Sequence, residues 1–215
     1  MGGVTMPYVL SAFNLIPDPT LNKIIYVGQG PQGSFDRNIT LWDLKNKKTL
    51  TQLTYFDPEI WNYPLWSLDG NDFVMAYKWF DWYQVTREGK VKQLTQLKGI
   101  VDYKLSFKNS TRSPDGRFLA FGMVYSLPNG EETHFRYLIL DLSADPVTGF
   151  CLGPEKQLEL SVEPRLYWSP DSRYLAISDY SLKDFERIMV LTDVINQKAY
   201  RLTDHFYVLQ GWIKT

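Results

Sequence analysis

An all-β fold of repeated four-stranded antiparallel sheets is what this sequence predicts, and three observations predict it. First, TRSPDGRFLAFG at 111–122 recurs as YWSPDSRYLAIS at 167–178 and, more loosely, as LWSLDGNDFVMA at 65–76. Second, Leu-Thr endings stand at Leu53-Thr54, Leu94-Thr95 and Leu202-Thr203, with Leu160-Ser161 in the matching place of the third unit. The two landmarks share one period of about 50 residues, which is the mark of a repeat architecture. Third, no stretch of the chain shows sustained helical periodicity, whereas short apolar runs bounded by turn residues are everywhere.

The repeated motif is a strand, a tight turn and a second strand. Ser113, Pro114, Asp115 and Gly116 suit a type I turn: Ser opens it, Pro presets φ at the second position, and Gly fits the fourth. A residue in the left-handed region then returns the chain as a hairpin, and Gly takes that conformation without strain.

Taken in order, each unit reads as four strands. The first unit, 7–54, has strands at 7–16, 22–28, 39–44 and 49–54. Its turn region IPDPTLNK reads as a degenerate motif with about two extra residues, Leu15 standing where Trp66, Arg112 and Trp168 stand elsewhere. The second unit, 63–95, has strands near 63–67, 72–78, 81–86 and 91–95. The third, 104–161, has strands at 104–112, 117–124, 135–142 and 156–161, and the fourth, 165–203, at 165–169, 173–179, 186–192 and 198–203. Residues 207–213, with Trp212, look like the opening strand of a fifth unit.

Second strands are apolar on both sides of the pleat, as in Phe118-Leu119-Ala120-Phe121 and Tyr174-Leu175-Ala176-Ile177. A half-exposed strand would alternate, so these sheets are expected to be covered on both faces. Repeated four-stranded antiparallel sheets covered on both faces are the blades of a β-propeller. A two-sheet sandwich would need no in-phase repeat.

The W-S-P-D-G-R-x-L-A-F pattern and the Leu-Thr endings resemble the repeats of TolB-like, WD-repeat-like propellers. Such repeats also occur in the N-terminal propellers of prolyl oligopeptidase and dipeptidyl peptidase IV relatives. The resemblance covers nearly the whole chain; it is strongest in units three and four and weaker in unit two, where Leu68 replaces Pro. It implies a ring of more blades than the four units read here. The expectation is therefore a partial ring from a larger propeller; a compact four-bladed ring and a ring completed by a second chain are the alternatives.

Composition sets further bounds. The 215 residues and 25.1 kDa, with 44% hydrophobic and 22% charged residues, suit one soluble globular domain over 1–215. A formal net charge of −1 predicts no general attraction to nucleic acid or anionic membrane. No apolar run approaches the roughly 20 residues a membrane span needs, and the N-terminal stretch lacks the features of a signal peptide. The lone cysteine, Cys151, excludes an intrachain disulfide and reads as a small buried hydrophobe. Compartment is not legible.

Catalytic chemistry finds little support. His134 and His205 are the only histidines, and neither has metal-ligand spacing with another His or Cys. No G-x-S-x-G occurs, and Gly28, Gly30 and Gly33 precede no helix, so neither a hydrolase elbow nor a phosphate loop is expected. No cofactor or metal is predicted. The turns within hairpins one–two and three–four are short and share one edge of the blades; the two–three and blade-to-blade connections are longer and share the other. Binding residues favour long loops on a rigid scaffold. Trp61 and Tyr63 are the expected anchors, with Tyr125, His134 and Tyr180 beside loops 126–134 and 178–185 completing the candidate set. The function expected is a non-catalytic scaffold for a protein or peptide. The alternative is the gating propeller of a prolyl-oligopeptidase-type serine peptidase whose catalytic domain lies outside this chain. An open arc of blades is also expected to self-associate, or to receive its missing blades from the rest of a larger protein.

Overall fold

The computed structural model describes residues 14–29, 36–56, 64–77, 81–96, 106–126, 133–157, 162–180, 187–203 and 212. These hold sixteen strands and no helix, arranged as four antiparallel meanders in chain order. Blade one is β1 (Asn14–Pro17), β2 (Lys23–Gln29), β3 (Asp36–Asp43) and β4 (Lys48–Phe56). Blade two is β5 (Leu65–Trp66), β6 (Asp72–Tyr77), β7 (Asp81–Thr86) and β8 (Val91–Gln93). Blade three is β9 (Ser106–Arg112), β10 (Phe118–Ser126), β11 (Thr133–Asp141) and β12 (Thr148–Gln157). Blade four is β13 (Val162–Trp168), β14 (Tyr174–Tyr180), β15 (Arg187–Asp193) and β16 (Lys198–Thr203). Blades one and two form one compact unit, Met1–Gln93, and blades three and four another, Leu94–Thr215.

The apolar runs of the second strands are buried on both sides, as their lack of alternation predicts. Phe118, Leu119, Ala120 and Phe121 are all buried, and so are Leu175, Ala176 and Ile177. In the first unit Ile25, Ile39 and Leu41 of blade one pack against Phe73, Met75 and Val85 of blade two. In the second unit Phe118, Tyr137 and Ile139 meet Trp168, Leu175 and Ile177. A buried side chain of this size contributes about 1.5–3 kcal/mol, against about 0.5–1.5 for a net hydrogen bond. Apolar burial therefore holds each seam, while polar contacts set its alignment. Trp66 Nε1 donates to the Ile16 carbonyl at 3.3 Å, and Trp168 Nε1 points to the Thr111 carbonyl at 3.5 Å. Each Trp thereby ties the innermost strand of one blade to that of the blade before it.

The turn after each first strand is the same in all four blades. The N–H of the fourth residue donates to the carbonyl of the first: Leu21 to Asp18, Gly70 to Ser67, Gly116 to Ser113, Ser172 to Ser169. The fourth residue lies at positive φ every time, from +56° at Leu21 to +77° at Gly116. Ser113 Oγ accepts the Phe118 N–H at 2.8 Å and donates to Asp115, whose carboxylate accepts the Arg117 N–H. Ser169 with Asp171, and Ser67 with Asp69, repeat the relay.

The first blade departs from the sequence reading here. Its turn has no extra residues; Asp18 stands where the others have Ser, so Pro17, not Leu15, is the counterpart of Trp66, Arg112 and Trp168. One carboxylate does the work of two side chains. Asp18 Oδ1 accepts the N–H groups of both Asn22 and Lys23, while Oδ2 accepts from Thr20.

The third blade brings a second correction. Its outer strand is β12 at Thr148–Gln157, earlier than the 156–161 expected, and pairs with β11 from Asp141↔Thr148 to His134↔Gln157. Glycine and proline in TGFCLGPEKQ suggest a loop, but both are accommodated. Gly149 sits where a Cβ would meet Leu140 at 2.7 Å, and Gly153 and Pro154 fall in the register shift between Phe135 and Tyr137. Proline is tolerated at such an irregularity on an edge strand. The same strand overturns the reading of Cys151, which is exposed. Strand alternation turns Leu152 inward and Cys151 outward. Residues 207–213 lie outside the described residues except Trp212, which is half-buried.

The turn network predicts a graded response. Ser113→Ala, which orphans the buried Phe118 N–H, should lower the unfolding free energy by about 1–2 kcal/mol. Asp115→Ala should shift the midpoint in the same direction, and Asp18→Ala should cost more than Ser113→Ala because three donors lose their acceptor. Urea denaturation measures all three; equal midpoints for wild type and Asp18→Ala would remove the turn from this role.

Candidate functional site

The blades present two unlike edges. On the turn edge, a second set of aspartates closes the outer hairpins. Asp43 accepts the Asn46 N–H and side-chain amide, Asp193 does the same with Asn196, and Asp141 accepts from the Ser143 N–H and hydroxyl. Each also takes a cation from the neighbouring inner turn. Lys23 Nζ reaches Asp43 at 3.3 Å, Arg117 reaches Asp141 at 2.6 Å, and Arg173 reaches Asp193 at 3.0 Å. Arg117 and Arg173 also lie over the rings of Phe118 and Tyr174, at 4.6 and 5.1 Å from their centroids. One Asp thus clamps two turns of its blade.

These bonds hold the carboxylates low. The Arg117 hydrogen bond, with help from Ser143, lowers Asp141 to about 2. The Asn196 N–H, joined by Arg173, lowers Asp193 to about 2. Asp43 is lowered further still, chiefly by the Asn46 N–H and amide. Asp171 is lowered by its bond from Ser169 and then by the Arg173 N–H. The causes are local turn bonds, and none of these groups is poised to exchange a proton near neutrality.

Between blades three and four the turn edge holds a pocket of about 170 Å³, walled by Phe118, Phe150, Val194 and Ile195 together with Arg117 and Asp141. Its two charged walls bond each other and its other polar walls are Thr148 and Gln197, so the lining is mixed and holds no uncommitted acid or base. No cluster of three or more His, Cys, Asp or Glu able to hold a metal occurs among the described residues.

The other edge is where the sequence placed its candidates. The β10–β11 ladder runs from Phe118↔Asp141 to Ser126↔Thr133, longer than expected, so Tyr125 and His134 lie in strands as directly facing partners. Such partners have Cα atoms about 4.5–5.5 Å apart. Tyr180 ends β14, between Val162 and Arg187, at the corresponding end of the next blade. Two irregularities precede this edge. Asn109, at φ +46°, marks the slip between β9 and β10, and the β13–β14 register shifts between Val162 and Arg165. Bulges bend and re-aim strand ends beside binding loops. Trp61 and Tyr63 lie outside the described residues, as does His205. Sequence reasoning missed the Asp43, Asp141 and Asp193 clamps, although the Asp repeated at the end of three of the four third strands was a usable signal.

Four such meanders, seamed one to two and three to four, decide the architecture. The fold is a β-propeller. Solved structures agree with it. A eukaryotic initiation factor superposes with TM-score 0.55 at 20% identity, over 88% of this chain and 42% of that one. The β-propeller domain of the trilobed protease from Pyrococcus furiosus, described as having an open velcro topology, gives 0.54 at 15%, over 90% and 57%. The fission yeast SREBP–SCAP binding domains give 0.50 at 13%, over 98% and 54%. At these identities the likeness is one of fold. The chain spans about half the length of the solved structures it matches. No protein-family model and no curated protein sequence matches it.

The lowered aspartates set the expected acid response. A carboxylate held below its ordinary 3.8 by folding contributes stability above that value and loses it as the pH falls to about 2. The urea midpoint should therefore drop between about pH 4 and pH 2. Asp141→Asn and Asp193→Asn should each flatten that drop; an unchanged slope in both would contradict the clamp.

Proposed function

We propose that this chain is a non-catalytic propeller scaffold whose long-loop edge receives a protein or peptide. The observation that carries the reading is the contrast between the two edges. On the turn edge of blades three and four Arg117 and Arg173 are spent on Asp141 and Asp193, whereas Tyr125, His134 and Tyr180 stand at the opposite strand ends of the same two blades. Tyrosine and histidine join an apolar body to a polar tip, which suits peptide contact, and a strand-borne position limits the entropy lost on binding. Trp61 and Tyr63, which precede blade two in the sequence, are proposed to extend the surface. The four blades are proposed to belong to a larger ring. A second reading, a propeller that gates a serine peptidase, draws on the Pyrococcus furiosus relative, which is part of a protease.

Binding of the full chain to a peptide array tests the proposal. Trp61→Ala and Tyr125→Ala should each weaken the peptides retained by wild type about tenfold, the effect of losing an aromatic anchor worth about 1.4 kcal/mol. Lys198→Ala, on the turn edge, should retain them. Equal loss in Lys198→Ala would place binding on the wrong edge, and retention by both aromatic variants would remove them from the surface.

A further inference from the structure

The turn edge of blades one and two carries a feature the scaffold reading does not use. Lys45, Lys47 and Lys48 lie exposed on and beside the β3–β4 turn, and Lys90 lies exposed on the β7–β8 turn. Among the described residues none of these four lysines forms an ion pair. This distinguishes them from Lys23 and Arg87, which are committed to Asp43 and to Asp18 with Thr20. The two turns are held side by side. Gly89, at φ +89°, packs so closely that a Cβ would come within 2.8 Å of the Leu50 carbonyl oxygen. Leu50 is two residues, about 7 Å, along β4 from Lys48. Against these four lysines stand Glu88, Asp43, which is taken by Lys23 and Asn46, and the exposed Asp69 beside Leu68, which is taken by Ser67 and Asn71, in a chain whose formal net charge is −1. The positive charge is thus local, and compensated elsewhere.

Apolar side chains accompany the lysines. Leu21, Leu44 and Leu68 are 69%, 39% and 66% exposed, all on turns of this edge. The Leu44 N–H bonds the Asn22 carbonyl, joining the turns of Leu44 and Leu21. Gly70, two residues after Leu68, faces Asp18 and Pro19, joining the turns of Leu68 and Leu21. The three leucines therefore belong to one connected set of turns. None has a structural task that requires exposure. The neighbouring positions show what the fold demands, because Ser, Asp and Gly there are fully used.

We propose that this edge of blades one and two docks an acidic, leucine-bearing segment of a partner protein, with Lys45, Lys47, Lys48 and Lys90 meeting its carboxylates and Leu21, Leu44 and Leu68 its apolar side chains. Charge complementarity selects an acidic occupant. The leucines select a protein segment over a nucleic acid, whose backbone gains nothing from them; the described turns here also offer no aromatic ring for base stacking and no uncommitted arginine. Glu88 argues in the same direction: it would repel a uniform phosphate surface, while a mixed segment can set an apolar residue or a lysine against it. The surface lies on the opposite edge from the loops invoked for peptide binding, so either proposal can fail alone.

The test uses the full chain and a short fluorescein-labelled peptide of alternating Glu and Leu, read by fluorescence anisotropy. The Glu/Leu peptide should bind, and a Gln/Leu peptide should bind at least about tenfold more weakly. Raising salt should weaken the first and spare the second. The triple variant Lys45→Glu/Lys48→Glu/Lys90→Glu and the apolar variant Leu44→Ser/Leu68→Ser should each lose about tenfold or more, with circular dichroism confirming the fold. Trp61→Ala should leave the affinity unchanged. Equal binding of the two peptides, or full retention by either variant, would overturn the proposal. So would tighter lysine-dependent binding of a single-stranded oligonucleotide or of phosphatidylserine vesicles, which would assign the surface to those ligands.

Discussion

Everything in the blades depends on one buried N–H group. It belongs to the first residue of each second strand, Lys23, Asp72, Phe118 or Tyr174, and its acceptor is a side chain of the turn. A side chain at the turn's first position must reach forward five residues to accept it. Serine does this in three blades and holds its hydroxyl in place by donating to the turn aspartate. Asp18 does it alone in the first blade, with Thr20 as its donor. Leaving the group unsatisfied costs about 1–3 kcal/mol, a large fraction of a domain's net stability.

Fixing where the second strand begins fixes its register, and register decides which apolar side chains meet the next blade. Ile25 and Val27, or Ala120 and Phe118, line one face only because their strands start where the turn places them. The outer hairpin is then locked to the inner one by Lys23–Asp43, Arg117–Asp141 and Arg173–Asp193. Blade two lacks this pair, with Thr86 across from Asp72. Its outer turn is tied instead to the first blade, through Arg87 to Asp18 and Thr20. The same demand for alignment is met within a blade in three cases and between blades in the fourth.

A division of labour follows. Side chains that satisfy backbone groups concentrate at the turn edge. Where its residues are not so employed, as at Lys45, Lys47, Lys48 and the exposed leucines, they are free for another use. At the other edge the ladders end in bulges and in aromatic or basic residues such as Tyr125, His134 and Tyr180. Two surfaces of different chemistry can then coexist on one scaffold without competing for the same side chains.

By itself the sequence determined the all-β class, the repeat, the four-stranded unit and the type I turn, because each rests on local patterning. Two-sided apolar runs in Phe118–Phe121 and S-P-D-G at the turns are consequences of short-range sterics and hydrogen bonding, legible without a fold. Tertiary structure decided what depended on a partner. Asp18 was hidden as a turn residue because its role is defined by which N–H groups face it, not by its resemblance to Ser. β12 was misplaced because its place is set by pairing with β11, whose register shift takes Gly153 and Pro154. Cys151 faces outward because that pairing sets the phase of the strand. Tyr125 and His134 face each other because the β10–β11 ladder runs past the expected loop. For β12, Cys151, Tyr125 and His134 the deciding contact joins residues from different strands, and one strand's sequence does not contain it; for Asp18 it lies within the turn itself.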